Sequence, residues 1–197
     1  MTVRFLRETR VWIVNLAAFA AAHAASMPAA PDGMAPPEGP PSPAADAARP
    51  RLLVLDLELT GDLGGPEFTA EHEARLVLES SRLRADLERT NRYHIMDSTQ
   101  AQPALDRLRS QQAYLHDCNG CDLEVARQVG ADLVFVAWVD RVSGLILSLT
   151  YEIHDVRTGQ IAARRSFDFR GDNDNAWNHA IDYMVRHLEA QETAAPD

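Results

Sequence analysis

The chain has no lysine: every one of its 19 basic residues is an arginine. A Walker-type phosphate loop, a Schiff-base enzyme and a lysine general base are therefore excluded together. Basic residues are also outnumbered by 29 acids, for a formal net charge of -10. A nucleic-acid binder needs a basic surface to displace counterions from phosphates, so the charge argues against that class. None of the seven histidines has another four residues away, and no His-Glu-x-x-His or Gly-x-Ser-x-Gly run occurs. That argues against zinc hydrolases and serine hydrolases of the nucleophile-elbow type. Cysteine is scarce, with two residues in the whole chain. The apolar segment Val11 to Ala22, broken only by Asn15, falls short of the roughly 20 residues that span a bilayer.

What is present first is an address. Arg4, Arg7 and Arg10 precede that apolar run, and Ala22-His23-Ala24 supplies a small-x-small cleavage pattern. Residues 1–24 read as a secretory signal, and a chain beginning at Ala25 carries 16 basic and 28 acidic residues. The cleavage site has no cysteine to take a lipid. Composition then shifts: eight of the eleven prolines fall between Pro28 and Pro50, among alanines. Such a stretch buries too little apolar surface to offset its ordering entropy, so residues 25–50 are expected to be a disordered linker. Residues 192–197 are expected to be a disordered tail. The expected location is the periplasm or the exterior of a bacterium, with no membrane span after cleavage.

Residues 51–191 are long enough for one core. Arg51 to Leu59 alternates as a strand, with Leu53, Leu55, Leu57 and Leu59 on one face and Asp56 and Glu58 closing the other. Thr69 is placed to cap a long helix to about Thr90, striped by Leu76, Leu83 and Leu87. Tyr93 to Asp97 is a short strand, and residues 104–112 form a second helix behind Pro103. A third helix opens at Cys121 or Asp122 and stops at Gly130. Leu133 to Val142 is apolar on both faces, as a central strand requires. Turns at Ser143-Gly144 and Asp155 to Gly159 frame a half-buried strand and its return, Gln160 to Arg170. There Arg164 and Arg165 point to opposite sides. Asn173 or Asp174 caps a last helix lined by Trp177, Ile181, Met184 and Leu188. The order β-α-β-α-α-β-β-β-α predicts one α/β domain with a mixed sheet, parallel first and then an antiparallel meander.

Three segments, Leu53-Val54-Leu55-Asp56, Leu83-Arg84-Ala85-Asp86-Leu87 and Tyr93-His94-Ile95-Met96-Asp97, resemble the amino-terminal domain of TolB, and the same order occurs in the curli-secretion lipoproteins. Further runs, Cys118-Asn119-Gly120-Cys121-Asp122-Leu123-Glu124-Val125-Ala126-Arg127, Gly130-Ala131-Asp132-Leu133-Val134, Val142-Ser143-Gly144-Leu145-Ile146-Leu147, Asp155-Val156-Arg157-Thr158-Gly159 and Arg170-Gly171-Asp172-Asn173-Asp174-Asn175-Ala176-Trp177, are similar to an uncharacterised family of secreted proteobacterial proteins with a TolB-like fold. The resemblance covers most of residues 51–188. It implies that fold and an envelope location, and it supplies no catalytic residues.

Candidate chemistry centres on Cys118-x-x-Cys121, just ahead of a helix. In an oxidising compartment the pair reads as a disulfide that stiffens the loop. A redox-active pair and a metal site using His116, Cys118 and Cys121 are the alternatives. Haem attachment is out, because Asp122 stands where histidine is required. Asp56, Glu58 and Asp62 gather near the carboxyl end of the first strand, where open α/β sheets bind ligands, and mark a candidate ligand or partner groove. Asp172-Asn173-Asp174-Asn175 is dense in oxygen ligands, yet Ala176 and Trp177 break an EF-hand pattern and capping explains the run better. Nothing implies a cofactor. The expected role is a non-enzymatic envelope module that binds a protein partner, by an exposed sheet edge or the Asp56 groove. A thiol-disulfide or metal-handling accessory role is the alternative.

Overall fold

Residues 49–193 are described by a computed structural model. The signal segment, the linker through residue 48 and the tail from residue 194 lie outside the described residues. Among the described residues six strands and four α-helices follow in order: β1 (Arg51–Val54), β2 (Glu58–Gly61), α1 (Thr69–Arg89), β3 (His94–Ile95), α2 (Gln102–Arg109), α3 (Cys121–Val129), β4 (Leu133–Arg141), β5 (Ile146–Asp155), β6 (Ile161–Arg170) and α4 (Asp174–Thr193). The sheet runs β3-β1-β4-β5-β6, with β2 pairing to β4 beyond β1. The pairs β1/β3, β1/β4 and β2/β4 are parallel, and β4/β5 and β5/β6 are antiparallel. The expected α/β architecture and mixed sheet are those observed.

Two apolar layers show why the strands carry apolar residues on both sides. On one face Val54, Phe135, Tyr151 and Ile153 pack with Leu83 and Leu87 of α1 and Trp177, Ile181 and Met184 of α4. On the other, Leu53, Leu55, Val134 and Val136 pack with Ala104, Leu105 and Leu108 of α2 and Val125 and Ala126 of α3. The result is a three-layer sandwich. Each large side chain fully buried there, Trp177 and Phe135 among them, is worth about 1.5–3 kcal/mol in apolar transfer.

The first strand departs from the expected alternation. Val54 lies opposite Phe135, and Glu58 lies opposite Trp138. Leu55, Asp56 and Leu57 thus span what Val136 and Ala137 span on β4, which is a β-bulge of one extra residue. Because side chains alternate with period two, the extra residue reverses the faces beyond it. Leu57 and Leu59 join the layer of Leu52 and Val54, while Leu53 and Leu55 join the other. The single face assigned to Leu53, Leu55, Leu57 and Leu59 is corrected accordingly, and one strand becomes two.

The entry to α1 also differs. A short 3-10 turn, Pro66–Phe68, leads directly into the helix, so Thr69 is its first helical residue and Phe68 caps it without a side-chain bond. The expected caps at the later helices hold. Gly130, at φ 73°, ends α3, and the Asn173 side chain accepts from the Ala176 N–H at 3.1 Å ahead of α4.

Candidate functional site

β6 is the outermost strand of the meander, ten residues long. Gly171 donates its N–H to the Leu145 carbonyl, 3.0 Å away, in a register that sets Arg170 opposite Ile146. In an antiparallel ladder alternate residues point their backbone groups to alternate sides. From Ala163 to Phe169 the odd-numbered residues therefore bond to β5, up to the register shift beside Ile161, and the N–H and C=O groups of Arg164, Ser166, Asp168 and Arg170 point outward along the edge. Such an edge is a template for another strand.

Side chains divide by the same alternation. Ala163, Phe167 and Phe169 pack toward α4. Phe167 meets Tyr183 edge-on at 5.0 Å and His187 at 5.5 Å. Between β6 and α4 runs a groove of about 580 Å³, lined by Phe167, Phe169, Ala176, His179, Ala180 and Tyr183 among others, and half of Tyr183 is exposed. On the opposite face Arg164 pairs with Glu152 at 2.7 Å, and Ser166 shares hydroxyl hydrogen bonds with Ser148 and Thr150, both 2.9 Å. The edge side chains are thus held by contacts within the sheet.

The end of the groove is braced by a buried ionic cluster. Asp172, 9% exposed at its side chain, accepts from Arg75 at 2.9 Å, Arg141 at 2.6 Å and the Trp177 indole at 3.1 Å. His72 lies 3.4 Å away. Burial alone would raise the Asp172 carboxyl, but the bonds from Arg141 and Trp177 and the two arginine charges outweigh it and hold it below the usual carboxylate range. Arg75 also bonds Glu71 at 2.6 Å and Asp174 at 2.9 Å, with its guanidinium 5.8 Å from the centre of the Trp177 ring. The run that suggested calcium is therefore an arginine hub tying α1, β4 and the β6–α4 turn together.

The residues singled out in the sequence do not converge. Asp56, within the bulge, is held by Arg84 of α1 and, at 2.7 Å, by Arg109 of α2. Burial would raise its carboxyl, but those arginines lower it. Asp56 lines a separate cleft of about 590 Å³ beside Leu76, Val77 and Ser98. Glu58 turns instead to the loop before α3, accepting from the N–H groups of Leu115 at 2.7 Å and His116 at 3.1 Å, and from His116 Nδ1 at 2.5 Å. The bulge has parted the two carboxylates expected on one face. The Asp62 side chain accepts from the Gly64 N–H at 3.1 Å, and its carbonyl accepts from Arg141.

Cys118 and Cys121 lie at disulfide distance, with Cα atoms 5.5 Å apart. His116 is committed to Glu58 and stacks on Trp138 with ring centres 4.5 Å apart. Among the described residues no group of three or more histidines, cysteines or acids is placed to hold a metal ion. Next to this loop, His154 sits between Asp122 at 2.5 Å and Glu152 at 2.8 Å. These two contacts tie α3 to β5.

The β6–α4 groove was not singled out in the sequence. Its signal was a second helical stripe, Ala176, His179, Ala180 and Tyr183, beside the buried one on α4.

Residues 50–188 match the family model DUF3280, described as Protein of unknown function (DUF2380). No curated protein matches the chain. Among solved structures, it is similar to the LpoB C-terminal domain from Salmonella enterica, at 20% identity, covering 64% of this chain and 87% of that one, with a TM-score of 0.42. Escherichia coli LpoB gives 18% identity over 77% of this chain and 84% of that one, TM-score 0.47. TolB from Acinetobacter baumannii gives 11% identity over 76% of this chain and 29% of that one, TM-score 0.45.

Proposed function

The chain belongs to the DUF3280 family of proteins of unknown function, and on that premise we propose that it is a non-enzymatic envelope module that docks a protein partner by strand addition. The partner lies along the outer edge of β6 and drops alternate side chains into the groove against α4. The observation that carries this reading is the pairing of a ten-residue outer strand with an adjoining groove that combines the aromatic rings of Phe167, Phe169 and Tyr183 with polar groups of Asn173, Asn175 and His179. Strand addition needs both parts, the backbone edge for affinity and the pockets for side-chain choice. A signal segment cleaved after Ala24 would deliver the module to the periplasm.

The experiment is photo-crosslinking in the producing bacterium, with benzoylphenylalanine placed at Asp168 on the edge or at Arg107 on α2. The expected result is an adduct from position 168, absent from 107, and lost when Ser166→Pro is added. That proline removes an outward N–H while leaving the β5 ladder intact. Adducts that survive Ser166→Pro, or arise equally from position 107, overturn the reading. Intact mass of the exported chain checks the start at Ala25.

A further inference from the structure

We infer that the strand received by the β6 edge is β6 of a second copy, paired antiparallel about a two-fold axis through Ser166; this rests on the strand-addition reading above and names its partner. In an antiparallel pair, residues directly opposite each other both point their backbone groups into the shared seam, or both away from it. A two-fold axis falling between two residues would set odd positions against even ones and violate that rule, so the axis must pass through a residue.

Charge then decides which residue. Centred on Arg164 or Arg165, the pairing sets an arginine against its own copy. Centred on Phe167, it sets Arg164 opposite Arg170. Centred on Asp168, it sets that carboxylate against itself. Axes nearer either end of Ile161–Arg170 leave five paired residues or fewer. Only the axis at Ser166 keeps a long overlap and sets no like charges opposite each other, and there Arg164 of each copy lies opposite Asp168 of the other, twice over. Like charges directly opposite are destabilising and unlike charges favourable in such pairs.

Two further features suit this register. Arg164, Ser166 and Asp168 are all residues whose backbone faces outward, so the central three pairs exchange about six backbone hydrogen bonds. Arg164 is already oriented by Glu152 at 2.7 Å and Ser166 by Ser148 and Thr150, which lowers the ordering entropy that pairing costs. On the α4 side Arg165 of one copy falls opposite Phe167 of the other, and Ala163 opposite Phe169. The sheets of the two copies then continue as one across the axis.

The test uses the exported chain at micromolar to millimolar concentration. Sedimentation should give a dimer. Asp168→Arg, which sets arginine against Arg164, should shift it to monomer with at least a tenfold weaker association, and Arg164→Asp with Asp168→Arg together should restore the dimer. Ser166→Cys should form a covalent dimer on mild oxidation, since opposite residues in a bonded antiparallel pair lie about 5.5 Å apart. Asp168→Cys, whose copies are four residues out of register, should not. A monomer throughout, or equal cross-linking from positions 166 and 168, overturns the inference. A monomer that still gives a Ser166→Pro-sensitive adduct to a different protein overturns the self-pairing alone. A monomer with no edge-dependent adduct overturns the strand-addition reading as well.

Discussion

Removing the Asp172 carboxylate strands two buried cations at once. In Asp172→Ala, Arg75 keeps Glu71 and Asp174, whose side chains are 57% and 67% exposed. Arg141 keeps only the Asp62 carbonyl, and the Trp177 indole loses its acceptor. Breaking a buried pair by deleting one partner costs about 3–5 kcal/mol. The exposed carboxylates left to Arg75 place the expected loss at the lower end, about 3 kcal/mol. For a domain of this size that is roughly a 10 °C fall in Tm. The assay is urea unfolding followed by tryptophan fluorescence, which Trp177 reports directly. The pH dependence supplies a second check. Because the folded carboxyl is held below its ordinary value of 3.8, its contribution is present above about pH 4 and disappears as pH falls through the folded value. The gap between wild type and variant should therefore close as pH falls below about 4. A loss under about 1 kcal/mol at pH 7, or a gap unchanged down to pH 2, would refute the hub as described. Adding Arg141→Met should recover part of the loss, since it removes the cation with the fewest remaining partners.

Glu79 is fully buried and neither carboxylate oxygen has a hydrogen-bond partner. Burial pushes its carboxyl above the ordinary value of 4.5, so stability is greatest below that value and falls as pH rises through the folded one. Glu79→Met should add about 1–3 kcal/mol at pH 7 in urea unfolding and flatten that decline. Gly120 and Gly61 both have left-handed backbone, φ 87° and 88°, but an added Cβ meets nothing at Gly120 and the Arg141 carbonyl oxygen at 2.5 Å at Gly61. Gly120→Ala should cost about 1–2 kcal/mol and Gly61→Ala clearly more, in the same assay. Cys118→Ser with Cys121→Ser should leave edge-dependent crosslinking intact and cost up to about 2 kcal/mol by the chain-entropy estimate for so short a loop. Intact mass should find the native chain two hydrogen atoms lighter than the reduced one.

Much of the fold was legible because strong signals were local. The apolar run of β4 and the alternation of β5 needed no knowledge of neighbours, and Gly130 and Asn173 marked helix ends by their own chemistry. The bulge was not legible, since Leu53 to Leu59 alternates perfectly in sequence and the extra residue appears only when β4 is laid beside it. The buried ionic hub was hidden for a related reason. Arg75 and Asp172 are 97 residues apart, and a charged residue within a helical pattern reads as solvated until a distant partner is known. The sheet edge was anticipated in kind, but which strand carries it depends on strand order. The groove beside it depends on where α4 rests.

The bulge has one more consequence, in the arithmetic of codons. The stretch between β1 and β2 holds one residue more than β4 can match, and Asp56 stands in the middle of it. Deleting its codon would leave Leu55 and Leu57 opposite Val136 and Ala137, with every leucine still on its present face. Deleting Leu53 instead would slide the residues before the bulge by one and turn Leu52 outward from its own layer. Asp56 is thus the one position in this stretch that the sheet can spare, which frees its carboxylate to serve Arg84 and Arg109 and so lash the two helical layers together around the sheet's rim.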